Sequence, residues 1–274
     1  MGVMKENLFT NAHDTTFNPT GLYNFVSGNI GADSSGNDPA KNLTEAEYDS
    51  GDPTDNVDFI PGQAEGLSHF TLYRNDSSDF NYTGSMTYCC LVNTTASIAD
   101  SPNAHAILGI CRGGADGDSF TSANDQRWAL QLNNQGHIRY VHIHNMDQGS
   151  GNHTLHLATS DRKVREHNTW NHIAFTRDSL GTLVKIYLNG EELSLNLQKY
   201  VASEARYYNL TGSRLEHAPE TTGTAYFGVG DIYNYRRSLA NSVAITSCAI
   251  YDQELTANQI KYLARKTLGY RRVK

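Results

Sequence analysis

Thr169-Trp170-Asn171-His172-Ile173-Ala174-Phe175-Thr176-Arg177, followed after a turn by Val184-Lys185-Ile186-Tyr187-Leu188-Asn189-Gly190-Glu191-Glu192-Leu193, is the stretch that decides the fold. Ile173 and Phe175 alternate with His172, Ala174 and Thr176. Beyond Ser179-Leu180-Gly181, Val184, Ile186 and Leu188 alternate with Lys185 and Tyr187. A period of two residues sends each set to its own face, as in strands that lay one face on a core. Asn189-Gly190 tolerates positive φ at both turn positions, so the spacing predicts a type I′ hairpin into Glu191-Glu192-Leu193.

Similar short strands are predicted on either side, at Ser85–Val92, Ala106–Cys111, Trp128–Leu132, His137–Ile143, Thr154–Ala158, Ala225–Gly228 and Val243–Tyr251. Turns rich in Gly, Asn, Asp and Ser separate them, as in Arg112-Gly113-Gly114-Ala115-Asp116-Gly117-Asp118. Many strands without intervening helices predict an all-β fold of two antiparallel sheets packed face to face. One short helix is predicted at the end. Thr256 and Gln259 form a capping box, Ile260, Leu263 and Ala264 make an apolar stripe, and Gly269 suits the position just past the last turn. Residues 1–20 have no strong period and are expected to form an arm.

Composition agrees with a globular chain. Of 274 residues, 38% are hydrophobic, 10% aromatic and 19% charged, which excludes a disordered chain, a coiled coil and a collagen. The length suits one large β domain. The net charge of −7 argues against nucleic acid as a partner, because phosphate binding needs clustered Lys and Arg. That charge is unevenly spread: residues 30–66 hold nine acids and one base, and residues 255–274 hold six bases and no acid. No segment reaches the ~18 apolar residues of a membrane span. The start Met1-Gly2-Val3-Met4-Lys5-Glu6 has no apolar run of a signal peptide, so synthesis in the cytoplasm is expected. Cys89, Cys90, Cys111 and Cys248 lie in apolar segments and are expected to be reduced and buried, the adjacent pair pointing to opposite faces of a strand.

Several motifs together resemble a known family. Gly21-Leu22-Tyr23-Asn24-Phe25 with Asp33-Ser34-Ser35-Gly36-Asn37, then Phe59-Ile60-Pro61-Gly62-Gln63-Ala64, the hairpin block quoted above, and Ala249-Ile250-Tyr251-Asp252-Gln253-Glu254-Leu255-Thr256 occur in family order. The chain resembles the laminin-G-like, or concanavalin A-like, lectin/glucanase jelly rolls, in particular their bacterial and phage branch. The resemblance implies an antiparallel two-sheet jelly-roll β-sandwich over residues 21–264, behind the arm and ahead of a basic tail at 265–274. These motifs are turns, core aromatics and a helix cap, so they carry fold and no chemistry. Trp170 is expected to be core packing.

Catalytic members of that superfamily carry Glu-x-Asp-x-x-Glu along one strand face, where one carboxylate attacks and the other protonates the leaving oxygen. Here the nearest approach, Glu47-Tyr48-Asp49-Ser50-Gly51-Asp52, lies in a polar stretch ending in Asp52-Pro53 and reads as a solvated loop. No dinucleotide fingerprint, Walker loop, zinc-protease His-Glu pair or nucleophile elbow occurs, so no catalytic residue is assigned. His142 and His144 share a strand face and could hold a metal; with no third ligand near in sequence, an exposed strand face is expected. Asp116, Asp118 and Asp125 are the candidate oxygen ligands for calcium, in an order that matches no defined calcium loop. No other cofactor is expected.

Sugars are bound by stacking their C–H faces on aromatic rings while polar side chains fork onto hydroxyls. Two loops have that chemistry: Asp231, Tyr233, Tyr235 and Arg236 in one, Asn145 and Asp147 in the other. The alternative is that the tyrosines cover a sheet edge and the arginines pair with acids. Lys261, Arg265, Lys266, Arg271 and Arg272 are the candidate docking residues for neighbouring subunits. The expected function is a non-enzymatic lectin-like surface protein of a larger assembly, such as a phage virion, contacting glycans or a host surface. The alternatives are a purely structural decoration or cement subunit, and a diverged polysaccharide hydrolase. A homo-oligomer is compatible with either of the first two.

Overall fold

Period-two alternation broken by glycine- and asparagine-rich turns yields strands. The computed structural model describes residues 13–24, 32–36, 44–45, 70–72, 84–94, 105–112, 126–133, 135–144, 153–164, 169–219, 225–229 and 243–269. The elements are β1 (Gly21–Asn24), β2 (Thr44–Glu45), β3 (Phe70–Leu72), β4 (Met86–Thr94), β5 (His105–Arg112), β6 (Gln126–Leu132), β7 (His137–His144), β8 (Thr154–Lys163), β9 (Thr169–Arg177), β10 (Val184–Leu188), β11 (Glu191–Glu192), β12 (Leu195–Val201), β13 (Arg206–Asn209), β14 (Ala225–Val229), β15 (Val243–Tyr251) and α1 (Ala257–Thr267).

They form two antiparallel sheets, a six-stranded one in the order β1-β15-β4-β9-β10-β11 and a nine-stranded one in the order β13-β12-β8-β7-β6-β5-β14-β3-β2. This is the expected jelly-roll sandwich. The deciding hairpin forms as predicted, with Ile186 opposite Phe175 and the turn residues Asn189 and Gly190 at φ 55° and 82°. Asn189 also ties the turn to β9, its Oδ1 accepting from the His172 backbone N–H at 2.9 Å. The Asp33 turn is likewise present: the Asp33 carboxylate accepts from the backbone N–H groups of Leu22 and Ser35 at 3.0 and 2.9 Å.

Alternation splits each strand between layers. Tyr88, Cys90, Ile173, Phe175 and Ile186 of the six-stranded sheet meet Trp128, Leu130, Ile138 and Tyr140 of the other in the central core. Cys89, Ala174, Tyr187, Ala249 and Tyr251 point the opposite way and are covered by Leu255 and by Ile260 and Leu263 of α1. Cys89 and Cys90 thus lie on opposite faces, and Cys89, Cys90 and Cys248 are free and buried. The helix starts with the predicted capping box of Thr256 and Gln259, and Gly269 follows it at φ 59°. Residues 13–20 of the expected arm also lie on this face. The Thr20 N–H donates to the Ile250 carbonyl at 2.7 Å, Gln253 Nε2 donates to the Phe17 carbonyl at 3.1 Å, and the Phe17 ring meets Tyr262 edge-on.

Trp170 differs from expectation. It is only half-buried, near one end of β9, and the fully enclosed indole is that of Trp128, 2% exposed. The reason is positional: Trp170 has the parity of His172 and Ala174, which face away from the central core. The hairpin of β12 and β13, which no turn dipeptide marks, is an element the sequence pattern did not reveal.

Candidate functional site

The hairpin of β12 and β13 forms one edge of the nine-stranded sheet, joined by a short 3-10 turn at Ala202–Glu204 and by Ala205 in the left-handed region at φ 50°. Gln198 pairs with Asn209, Lys199 with Tyr208 and Tyr200 with Tyr207. Because side chains alternate, these pairs fall on two faces with different chemistry.

On the outer face, the Tyr200 and Tyr207 rings lie 4.7 Å apart, and Tyr207 is 56% exposed. Beside them Gln198 Nε2 donates to Asn209 Oδ1 at 2.9 Å. Tyr200 rests on an apolar cluster of Ala129, Val141, Leu155 and Leu157, which holds the ring pair against the sheet. The result is an aromatic patch flanked by two mutually hydrogen-bonded primary amides.

On the inner face, register aligns Tyr208, Lys199, His156 and His142 in one row across four strands. His142 stacks on His156 at 4.9 Å, and His144 stacks on His217 at 4.0 Å with planes only 5° apart. Lys199 Nζ bonds the Glu216 carboxylate at 2.9 Å, and Arg206 lies over the Tyr208 ring at 5.0 Å. Tyr208 donates its hydroxyl proton to Glu204. At the deep end Arg177, 1% exposed, sits beside Tyr140 and His142. The segment carrying Glu216 and His217 is anchored by Leu215, whose N–H donates to the Thr182 carbonyl, and by the Arg214–Asp178 ion pair at 2.6 Å.

The exposed strand face expected at His142 and His144 is therefore not what forms. His142 is fully buried and His144 half-buried, and His156 and His217 join them from β8 and the 210–219 segment. Burial pushes the His142 imidazole well below its usual pKa, helped by the positive charges of His156, Arg177 and His144. The peptide group of His217 faces that ring, but neither ring nitrogen forms a hydrogen bond of normal geometry. Burial likewise brings His156 down to about 4; His217 opposes its protonation further, and Glu216 only partly offsets this.

These shifts set a pH dependence. A histidine whose pKa is lower folded than unfolded binds its proton more readily in the unfolded chain, so its contribution to stability is complete above the unfolded pKa of about 6.5. It is lost as pH falls through about 4 for His156. Thermal melts between pH 8 and 4 should show the melting temperature falling across this window, and His156→Gln should flatten the fall. A profile that stays level from pH 7 to 4.5 would contradict the assignment. Asp178 does not interfere there: burial alone would raise its carboxyl, but Arg214 and backbone N–H groups hold it below the usual carboxylate range.

The remaining predicted site residues fall as follows. Asp231, Tyr233, Tyr235 and Arg236, Asn145 and Asp147, and Asp116, Asp118 and Asp125 all lie outside the described residues. Lys261, Arg265 and Lys266 are exposed on α1, where Lys266 pairs with Asp14 and bonds Thr16 Oγ1 at 3.1 Å; Arg271 and Arg272 lie outside the described residues. A cleft of about 270 Å³ between the start of β10 and β12, lined by Leu183, Lys185, Leu195, Leu197 and Ser213, has no aromatic ring.

The chain presents a jelly-roll sandwich of two antiparallel sheets with an aromatic and amide patch on one sheet edge. The chain belongs to the concanavalin A-like lectin/glucanases superfamily, whose Laminin_G_3 family model matches residues 66–261. No curated protein matches the chain. Among solved structures it is similar to the receptor binding domain of botulinum neurotoxin C/D mosaic serotype (14% identity, TM-score 0.54, covering 91% of this chain and 51% of that one). It is also similar to Trypanosoma rangeli sialidase (13%, TM-score 0.53, 92% and 33%) and to the binding domain of Paraclostridial Mosquitocidal Protein 1 (13%, TM-score 0.51, 92% and 53%). The chain thus spans about half or less of the length of these structures, and at such identities they share its fold alone. Among the described residues, no helix is long and apolar enough to cross a membrane.

Proposed function

We propose that the protein is a non-enzymatic, lectin-like binding protein that takes a glycan on the outer face of the β12–β13 hairpin. The observation that carries this is the Tyr200–Tyr207 ring pair, 4.7 Å apart, with the Tyr207 ring exposed beside the hydrogen-bonded Gln198 and Asn209 amides. An exposed tyrosine ring offers a flat π face to the axial C–H bonds of a pyranose at small entropic cost. The adjacent amides offer both donors and acceptors to its hydroxyls. The family's lectin members and the receptor-binding role named for the neurotoxin domain support the reading. The loops carrying Asp231, Tyr233, Tyr235 and Arg236, and Asn145 with Asp147, have the same chemistry and extend the proposed surface.

A glycan array is the test. Specific binding should weaken about 10- to 30-fold in Tyr207→Ala, as truncation of a tyrosine hot spot costs ~1.5–2 kcal/mol. Loss on Tyr233→Ala with Tyr207→Ala unaffected would move the site to the loop. If EDTA abolishes binding and calcium restores it, Asp116, Asp118 and Asp125 gain their proposed role. The larger context proposed for the chain is an assembly such as a phage particle, with Lys261, Arg265, Arg271 and Arg272 facing a neighbouring subunit. An array without binding, with the protein stoichiometric in purified particles, would replace the lectin with a decoration subunit. Sugar release from a polysaccharide panel would overturn the non-enzymatic reading.

A further inference from the structure

We propose that His13, Cys89 and His172 form a buried site for a zinc-type transition-metal ion that fastens the N-terminal segment to the outer face of the six-stranded sheet. All three residues are buried, and one ligand atom from each lies within 4.8 Å of the others. They come from the segment before β1, from β4 and from β9, and the two histidine rings are 5.4 Å apart. This site is separate from the tyrosine hairpin and independent of the glycan proposal.

The hydrogen bonding around His13 identifies its free nitrogen. Ser247 Oγ donates its one proton to Asn24 Oδ1 at 2.8 Å, because an amide oxygen can only accept. The same Oγ lies 2.7 Å from His13 Nδ1 and must therefore accept there, so Nδ1 carries the ring proton and Nε2 presents a lone pair. His13 Nε2 is buried without a hydrogen bond. A histidine whose far nitrogen donates to an outer partner while the near one is bare has the usual arrangement of a metal ligand. His172 differs in having no such outer partner: both its ring nitrogens are buried without a hydrogen bond of normal geometry, apart from a weak contact to its own backbone, so either could reach a metal.

Leaving such nitrogens unmade in a protein interior costs free energy, and Cys89 belongs to the apolar face covered by α1. Its neighbours are the Leu22, Ala174, Ala249 and Tyr251 cluster beneath α1. Thiolate and imidazole donors select zinc, cobalt or copper over calcium and magnesium, which take oxygen ligands. On binding, a divalent ion displaces the Cys89 thiol proton to solvent and forms a metal–sulfur bond; no electron is transferred. The segment is already shaped for the site by the Thr20 and Phe17 hydrogen bonds and the Lys266–Asp14 pair.

The full chain, reduced and stripped of metal, should be titrated with Zn²⁺ and with Co²⁺. One equivalent of cobalt should give a near-ultraviolet thiolate-to-metal charge-transfer band, displaced by zinc. The band should vanish in Cys89→Ser, and His13→Ala should weaken zinc binding by roughly 100-fold or more, since even outer partners of metal ligands are worth 10–100-fold. His13→Ala removes a residue ahead of the first strand, so it keeps the test decisive even where Cys89→Ser fails to fold. No uptake of metal, no sulfur band, or binding lost on His142→Ala and His156→Gln but kept in His13→Ala would overturn the proposal.

Discussion

Replacing Trp128 by alanine should lower the stability of the fold by about 3–5 kcal/mol, the range for deleting a buried tryptophan. Its indole is 2% exposed and joins the two sheets: Tyr88 and Phe175 of one layer lie 4.8 and 5.9 Å from it, and Tyr140 of its own layer lies 6.2 Å away. Tyr140 and Phe175 complete the cluster, stacked at 4.5 Å across the interface. The cavity would be bounded by strands from both sheets, each held in register by its neighbours, so it could close only slightly and the cost should sit near the top of the range. Urea unfolding followed by circular dichroism measures it. Trp128→Phe should retain more than half of the lost stability, and an alanine variant within about 1 kcal/mol of wild type would show that the interface is not organised around this ring.

Gly190→Ala is expected to cost about 3 kcal/mol for two separable reasons. Gly190 has φ 82°, where an L-residue pays about 1–2 kcal/mol. An added Cβ would also meet Lys261 Cα at 2.9 Å and Ala264 Cβ at 3.1 Å, so α1 would have to lift from the sheet at an overpacking cost of about 1–3 kcal/mol. Gly269→Ala is the internal control. Its φ is 59° and nothing lies within 4 Å of its Cβ position, so only the backbone cost applies. The excess of the first variant over the second reads the helix contact directly. Equal losses would mean that α1 yields freely, and the melting temperature of Gly190→Ala should otherwise fall by several degrees more.

The helix and the turns were legible because their causes are local. Asn189-Gly190, the Asp33–Ser35 turn and the Thr256–Gln259 box each satisfy backbone groups within a few residues, so spacing alone predicts them. Trp170 shows the limit of the same logic. An indole on an alternating strand is expected to be buried, but which parity faces the core is a property of the packed layers. The histidine row illustrates it further: His142 and His144 were visible as a pair, whereas His156 becomes their neighbour through the register of β7 with β8, and His217 through a segment fastened to Thr182. Tyr200 and Tyr207 are adjacent only because β12 and β13 pair, and no turn dipeptide announces that hairpin.

By itself the sequence determined the layer type, the strand alternation, the deciding hairpin, the capped helix and the family, all of which arise from backbone geometry and hydrophobic period over short distances. Tertiary structure alone decided which chemistry-bearing residues meet. His13, Cys89 and His172 converge from three segments scattered along the chain, and the tyrosine platform depends on a pairing register that shifts every side chain to the other face if it slips by one residue. The physical reason is that such contacts are specified by the packing of whole sheets, whose free energy is shared over many residues and leaves no mark in any one stretch of sequence.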